Sequence, residues 1–397
     1  MKYLKLGEIC IKVTDGTHHT PTYKESGVPF LRVTDITESN DSKKFISESE
    51  HLELIKRCHP EKEDILYTKN GTIGVAKKIT WDYDFSIFVS LCLLKPNHDI
   101  VNSNYLVHFL NTKFALNQAL SHTKTGTISN LHLIEIKKIK IPLPYLSEQK
   151  KIGCILDFSE SLMLKDIALL AKYEELTHSL FLDTFGHPVQ NSKGWKVKKL
   201  KEISTKIHSG NTPKGGSAVY VEEGITFFRS QNVWKNRLIY KDIAFIDQST
   251  HDKMMKSSLK NRDILMTKTG RINTENSSLG RAAMYLGEDD KANVNGHVYL
   301  IRLKEGILNE FVLHILTTKE YRGHIRNVCV GGIDKRQLNK GHIEDFPIID
   351  PPIELQHQFI EQLSIIEQQK SIIKKSLKKS EELFKSLLQK AFKGGLI

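Results

Sequence analysis

The sequence predicts an α+β protein: two strand-rich globular lobes in a pseudo-two-fold arrangement, separated by two long antiparallel coiled-coil helices. Three observations predict it. The phrase Asp64-Ile65-Leu66-Tyr67-Thr68-Lys69-Asn70-Gly71 returns 199 residues later as Asp263-Ile264-Leu265-Met266-Thr267-Lys268-Thr269-Gly270, so the chain repeats at the scale of a whole domain rather than a small solenoid unit. Each copy then ends at prolines followed by a long heptad-like pattern, which reads as a helix that starts where the lobe stops. The order lobe, helix, lobe, helix closes most simply about a pseudo-two-fold axis, which makes the helices antiparallel.

The first lobe spans 1–145 and the second 189–350, with helical segments at 146–188 and 351–397. Leu6-Gly7-Glu8-Ile9 and the turn Asp15-Gly16-Thr17 open the first lobe; Leu200-Lys201-Glu202-Ile203 and Ser209-Gly210-Asn211 open the second. Apolar runs with a polar edge follow, Val28 to Ile36 and Ile225 to Val233, with Arg32 and Arg229 at the same place in each. After the shared phrase, alternating residues predict strands over Ile87–Leu94 and His297–Leu303, and Tyr105–Lys113 and Phe311–Lys319 predict short helices. A glycine turn (Thr125-Gly126-Thr127; Val330-Gly331-Gly332) and a proline exit (Ile141 to Pro144; Asp350 to Pro352) finish each lobe.

The helices are predicted over about 147–185 and 353–393, each roughly 55 to 60 Å long. The first carries Ile155, Phe158, Leu162, Leu169, Tyr173, Leu176 and Leu180 as its seam. The second carries Leu363, Ile366, Lys370, Ile373, Leu377, Ser380, Phe384, Leu387 and Ala391 in 3-4 alternation. The many lysines of this second helix read as its solvated face.

Composition narrows the function. The 397 residues carry 58 basic against 46 acidic side chains, a net charge of +12 that favours a polyanionic partner. Five scattered cysteines without a CxxC pair give neither a zinc knuckle nor a disulfide framework, and a reducing cytoplasm fits. No apolar run is long enough to span a bilayer, so no membrane is expected. Phosphate-loop, GxSxG and HExxH motifs are missing, so the chain is expected to be no enzyme and to hold no metal. Glu135-Ile136-Lys137 has the ExK spacing of a nuclease core without an acidic partner in the repeat, and His18, His19, His51, Cys58 and His59 are not reproduced in the second lobe.

Hydroxyls, a cation and a permissive glycine at Thr68, Lys69 and Gly71, and at Thr267, Lys268, Gly270 and Arg271, suit phosphate oxygens or base edges; a turn whose polar groups face water fits equally. Arg32 with Thr34, and Arg229 with Gln231, suit bidentate contact with a base, or a structural salt bridge. Thr125 joins them as a glycine-turn hydroxyl. The lobes differ most at the insertion around 273–278, which suggests a shared scaffold with different reading loops.

The repeated Asp-Ile-Leu-x-Thr-Lys-x-Gly phrase, together with Ile141-Pro142-Leu143-Pro144-Tyr145-Leu146-Ser147-Glu148-Gln149 and its second copy Pro351-Pro352-Ile353-Glu354-Leu355-Gln356-His357, resembles the specificity subunit of Type I restriction-modification systems over essentially the whole chain. The resemblance implies two target recognition domains, each reading half of a bipartite, asymmetric site in double-stranded DNA, with helices that set the spacer. It implies docking of two methyltransferase subunits and of motor and nuclease subunits. S-adenosylmethionine, ATP and magnesium would belong to those partners and not to this chain. Partner docking falls on Glu148, Gln149 and Ile152, and on Gln356, His357 and Ile360 in a copy aligned 208 residues on. In that alignment Gln356-His357 replaces Glu148-Gln149, which predicts two unequal docking surfaces.

Overall fold

A computed structural model describes residues 2–38, 44–121, 130–271, 274, 276–332, 335–393 and 395; Thr125 and its glycine turn lie outside the described residues. The chain divides into two compact units, one of residues 1–169 with 372–397, the other of 170–371. The units therefore do not stop at the lobe boundaries. Each contains one lobe and part of both long helices.

In the first unit Lys2–Lys5 pairs antiparallel with Lys140–Leu143, bringing the entry and exit of the lobe together. The turn after this ribbon is closed by the backbone N–H of Lys5, which donates to Glu8 Oε2 at 2.6 Å. A four-stranded antiparallel sheet runs in the order Cys10–Asp15, Leu91–Pro96, Ile65–Thr68, Ala76–Lys78. The central strand Ile65–Thr68 is buried on both faces, which explains why its phrase is apolar throughout instead of alternating. A smaller sheet joins Phe45–Ile46, Val28–Leu31 and Ser86–Ile87.

The single strand expected over Ile87–Leu94 is two strands in different sheets, Ser86–Ile87 and Leu91–Pro96, with a turn between them. The break is enforced by a close approach: a Cβ on Gly16 would stand 2.0 Å from the carbonyl oxygen of Ile87. Gly210 repeats this in the second lobe, 2.0 Å from the carbonyl oxygen of Val294. Only glycine fits at either place.

The second unit reuses the plan. Lys196–Lys199 pairs with Pro347–Asp350, and the four-stranded order is Ser204–Ser209, Val298–Leu303, Ile264–Thr267, Ala282–Met284. The smaller sheet is Ala244–Ile246, Ile225–Phe228, Ala292–Val294. In a third sheet Arg336–Gln337 lies between Thr269–Gly270 and Val330–Gly331; the first lobe has the matching bridge between Asn70 and Asn130.

The long helices run Leu146–Phe185 and Ile353–Lys393, within a residue of the predicted bounds. The predicted seam of the second helix is its inner face: Ile366, Lys370, Ile373 and Ala391 are buried and the intervening seam positions partly so. The predicted seam of the first is only partly inward: Leu162, Tyr173 and Leu180 are partly buried, but its other positions are displaced. Ile155, Phe158, Leu169 and Leu176 are exposed, whereas Gln149, Ile152, Leu156, Ser159, Thr177, Phe181 and Phe185 are buried. This inner face answers that of the second helix at a constant spacing of 207 residues, Gln149 with Gln356, Ile152 with Phe359 and Phe185 with Phe392. In the second unit Phe185 meets Phe359 and Glu174 meets Lys370, eleven residues back along one helix and eleven forward along the other, so the paired segments are antiparallel. In the first unit Ile152 and Leu156 share a core with Phe384, Leu388, Ala391 and Phe392.

His314 stands between the rings of Phe181 and Phe359, with centroids 5.0 and 4.9 Å away. Burial, reinforced by His178 and Lys370, pushes its pKa down to about 4. Because the folded value lies below the unfolded one, the neutral ring contributes full stability above about pH 6.5 and that contribution is lost as pH falls toward 4. We expect the wild type to lose up to about 3 kcal/mol across this window from His314, and His314→Leu to show a correspondingly shallower slope in urea titrations at pH 7 and pH 4.5. Equal slopes in the two proteins would remove His314 from the acid response.

Candidate nucleic-acid interface

The repeated phrase builds a scaffold before it offers a surface. Asp64 and Asp263 are buried beside a basic partner from the neighbouring strand: Lys95 Nζ at 2.6 Å in the first lobe, Arg302 Nε and Nη2 at 2.8 and 2.7 Å in the second. Burial raises the Asp64 pKa, and the hydrogen bond from Lys95 opposes that rise. Thr68 and Thr267 are wholly buried, and their hydroxyls accept from the N–H groups of Val75 (2.8 Å) and Arg281 (2.9 Å) across the turn. As sites for direct contact with a duplex both threonines are therefore corrected: they are the pins of the turn, and a phosphate cannot reach them while it is closed.

The lysine that follows is tied on both sides through its backbone. Lys69 donates from N to Ser90 O and accepts at O from Leu131; Lys268 donates to His297 O and accepts from Leu338. These ties gather the candidates of each lobe at one end, because Phe88 N also donates to Leu31 O and Asn295 N to Phe228 O, adjoining Arg32 and Arg229. Arg32 and Lys69 thus belong to one loop cluster, and Arg229 and Lys268 to its counterpart.

Their side chains are not equivalent. Lys69 is buried and 3.3 Å from Asp15, a buried carboxylate that also receives Arg57 and, at 3.3 Å, His18. Lys268 has no carboxylate within ion-pair distance among the described residues and lies over the Tyr299 ring at 5.9 Å. Arg32 donates to both oxygens of buried Asp35, at 3.1 and 3.3 Å, and those hydrogen bonds raise its pKa. Asn232 takes the place of Asp35 in the second lobe: its Oδ1 accepts from the Arg229 backbone N–H at 3.0 Å, and the guanidinium turns to the carbonyl of Asp242. The bidentate fork of Arg32 is thereby committed inside the protein, as the salt-bridge reading expected.

Thr34, Gly71, Gln231 and Arg271 are exposed, and Gly270 is partly so. The turn between the paired threonine and glycine has six residues in the first lobe, 69–74, and thirteen in the second, 268–280. The sequence reading missed what holds the longer one. Arg281 is buried, lies 3.7 Å from the ring centroid of Trp234, and donates to the carbonyls of Ser277 (3.0 Å) and Asn276.

The docking candidates also divide. Gln149 is buried, its Oε1 accepting from Asn102 N and its Nε2 donating to Ile100 O and Pro144 O, all at 3.0 Å. Gln356 donates in the same way to Pro351 O at 2.9 Å. Gln149 therefore corresponds to Gln356 and not to His357, and the break in the repeat moves to Leu355, which stands where the first copy has Glu148. Ile152 is core; Glu148 accepts at 3.0 Å from Tyr145 N as a cap; His357 is exposed and Ile360 partly so. Gln149, Ile152 and Gln356 are corrected from docking residues to internal ones.

The remaining motifs have local partners. His51 Nδ1 is 2.9 Å from Ser86 Oγ, and Glu135 pairs with Lys138 at 3.2 Å. Among the described residues no three His, Cys, Asp or Glu side chains are grouped to hold a metal ion. No described helix is long and apolar enough to cross a membrane.

Two strand-rich lobes with matched loop clusters, on a basic chain with two long helices, define a two-domain recognition protein. A family model described as the Type I restriction modification DNA specificity domain matches residues 1–167 and again 192–382, and the chain belongs to that family. It is 23% identical to the Type I restriction enzyme StySPI specificity subunit of Salmonella potsdam, over 81% of this chain and 70% of that one. It is 21% identical to the EcoKI specificity subunit of Escherichia coli K12, over 94% and 83%. Among solved structures it is similar in fold to a Type I S subunit from M. genitalium, with TM-score 0.60 and 15% identity over 98% and 96% of the two chains. A chain from a study of complex assembly and conformational transition in a Type I system gives TM-score 0.57 and 17% identity over 100% and 98%.

Proposed function

We propose that each lobe reads one half of a bipartite, asymmetric DNA target and that the long helices fix the spacing between the halves. The observation that carries this reading is the matched loop cluster: the same backbone ties at Lys69 and Lys268, surrounded by exposed groups that differ, Thr34 against Gln231 and a six-residue turn against one of thirteen. A shared scaffold with divergent edges suits two readers of different sequences.

The outer faces of the helices support docking of two methyltransferase subunits. Phe158 and Ile365, at equivalent positions 207 residues apart, are 64% and 59% exposed; Leu176 and Leu383, likewise equivalent, are 50% and 48% exposed. Exposed apolar residues recurring in both copies suit two like partners. On this reading the displaced stripe of Ile155, Phe158, Leu169 and Leu176 is a partner face. The chain itself is non-catalytic and cytoplasmic; S-adenosylmethionine for methylation, and ATP and magnesium for restriction, are carried by the methyltransferase, motor and nuclease subunits.

The test uses the full chain with its methyltransferase partner on the target found by methylome sequencing. Gln231→Ala and Arg271→Ala should weaken recognition of one half-site by about 1–3 kcal/mol for each base edge left without its hydrogen bonds, leaving mismatches in the other half as costly as before. Thr34→Ala should act on the opposite half. A substitution that weakens both halves equally would contradict the two-reader arrangement, and magnesium-dependent cleavage by the purified chain would contradict its non-catalytic role.

A further inference from the structure

Among the described residues the second lobe groups arginines in a way the first does not. Arg322 and Arg326 are one helical turn apart on the helix Lys319–Val328. Gly280 seats the neighbouring turn against this helix: a Cβ there would stand 2.8 Å from Ile325 Cγ2. This packing places Arg281 beside Arg322. The third sheet places Arg336 beside the same turn, paired in register with Gly270 and Gly331 and so next to Arg271 along the ladder.

Among the described residues none of Arg281, Arg322, Arg326 or Arg336 has a carboxylate within ion-pair distance. Arg302 and Arg262, elsewhere in the lobe, both do. The Nε of Arg336 is buried and has no hydrogen-bond partner. Burial lowers the pKa of Arg281, with Arg322 adding to the effect; burial likewise lowers that of Arg322, with Arg326 adding. In the first lobe the corresponding helix, Lys113–Leu120, has no arginine, and Lys69 has a carboxylate partner in Asp15, which it shares with Arg57. Like charges gathered without a counter-charge, with one donor left unpaired, are costly unless an anion completes them.

We propose that Arg281, Arg322, Arg326 and Arg336 form a seat for DNA backbone phosphates on the second lobe that the described residues of the first lobe do not reproduce, so that the two half-sites are held with unequal electrostatic strength. This rests on the reading of the lobes as DNA binders. Arg281 positions the seat, being held by Trp234 and the loop carbonyls, while Arg322, Arg326 and Arg336 present donors to it. Because phosphates carry no sequence, the seat adds affinity and orientation without choosing bases.

The test is the salt dependence of duplex binding by the full chain with its methyltransferase partner, comparing wild type with Arg322→Gln/Arg326→Gln on target and random duplexes. The slope of log affinity against log salt should become shallower by roughly one for each phosphate that is no longer neutralised, on both duplexes alike. Arg322→Lys/Arg326→Lys should retain the wild-type slope, separating charge from fold, and thermal melting checks that both variants are folded. A folded glutamine variant that keeps the wild-type slope overturns the seat while leaving the DNA-binding reading intact. A change confined to association with the methyltransferase also overturns it, since the cluster would then serve a protein partner. A wild-type complex that binds no duplex overturns the DNA-binding reading itself.

Discussion

Arg302→Met is expected to destabilise the second unit by about 3–5 kcal/mol, because it strands a carboxylate that the fold has removed from water. Asp263 is 1% exposed, receives two charge-assisted hydrogen bonds from Arg302, and accepts a third from Lys260 N at 2.7 Å. Arg302 also donates to Ser258 O at 3.2 Å, tying its strand to the loop that precedes Ile264–Thr267. Hydrogen bonding to Asp263 raises the Arg302 pKa, so the guanidinium keeps its charge. Replacing both partners, as in Asp263→Leu/Arg302→Met, should restore most of the stability, since the charge that needed a partner is then gone. Urea titration of the three proteins checks this. A single-variant loss below about 1 kcal/mol would mean that water reaches Asp263 in the folded state. The first lobe should respond less to Lys95→Met: Lys95 makes one contact with Asp64, is shared with exposed Glu61, and leaves the Glu61 N–H bond to that carboxylate at 2.9 Å intact.

The repeated phrase was readable because its residues are structural. Asp64, Ile65, Leu66, Thr68 and their counterparts are fixed by burial and by hydrogen bonds inside each lobe, so duplication preserved them where it could. The helices were readable to within a residue for the same reason, but the inner face of the first was not. That face contains Gln149, Gly153, Ser159 and Thr177, while its outer face carries Ile155, Phe158 and Leu169. Periodicity reports the spacing of apolar residues; on a helix with apolar residues on both faces it cannot tell which one is buried. Alignment by letter identity misplaced the second exit phrase by one residue. The informative spacing is the five residues from a glutamine amide to a proline carbonyl, found at Gln149 with Pro144 and at Gln356 with Pro351. The arginine cluster was hidden for another reason: Arg281 and Arg336 come from distant parts of the chain and are brought to one turn by strand register and a helix contact that the order of letters does not show.

Phe359→Ala should cost the second unit about 3–5 kcal/mol, as truncation of a closely packed aromatic does. Phe359 is 1% exposed, and its ring meets those of Phe185, Phe181 and Phe311 edge-on at 5.4, 5.5 and 6.5 Å, with His314 at 4.9 Å. These partners come from the end of one long helix and from a lobe helix, so a single side chain joins the lobe to both helical segments of its unit. Phe359→Leu keeps most of the volume and should lose no more than about 1.5 kcal/mol. The counterpart in the first unit is Ile152, whose truncation to alanine should cost about 2–5 kcal/mol in a core that takes its aromatic ring from Phe392 instead. Hydrogen exchange distinguishes the two possible sources of helix stability. If the lobe anchors the helices, Phe359→Ala will lower protection across both 170–185 and 353–371 together with the lobe. Protection that persists in the helices while the lobe loosens would instead assign their stability to the seam from Thr177 to Lys370, where buried Lys370 bridges Glu174 and Glu367 at 2.6 Å each. The first result is expected: that seam is short of large apolar side chains, and ion pairs whose carboxylates are exposed contribute little stability.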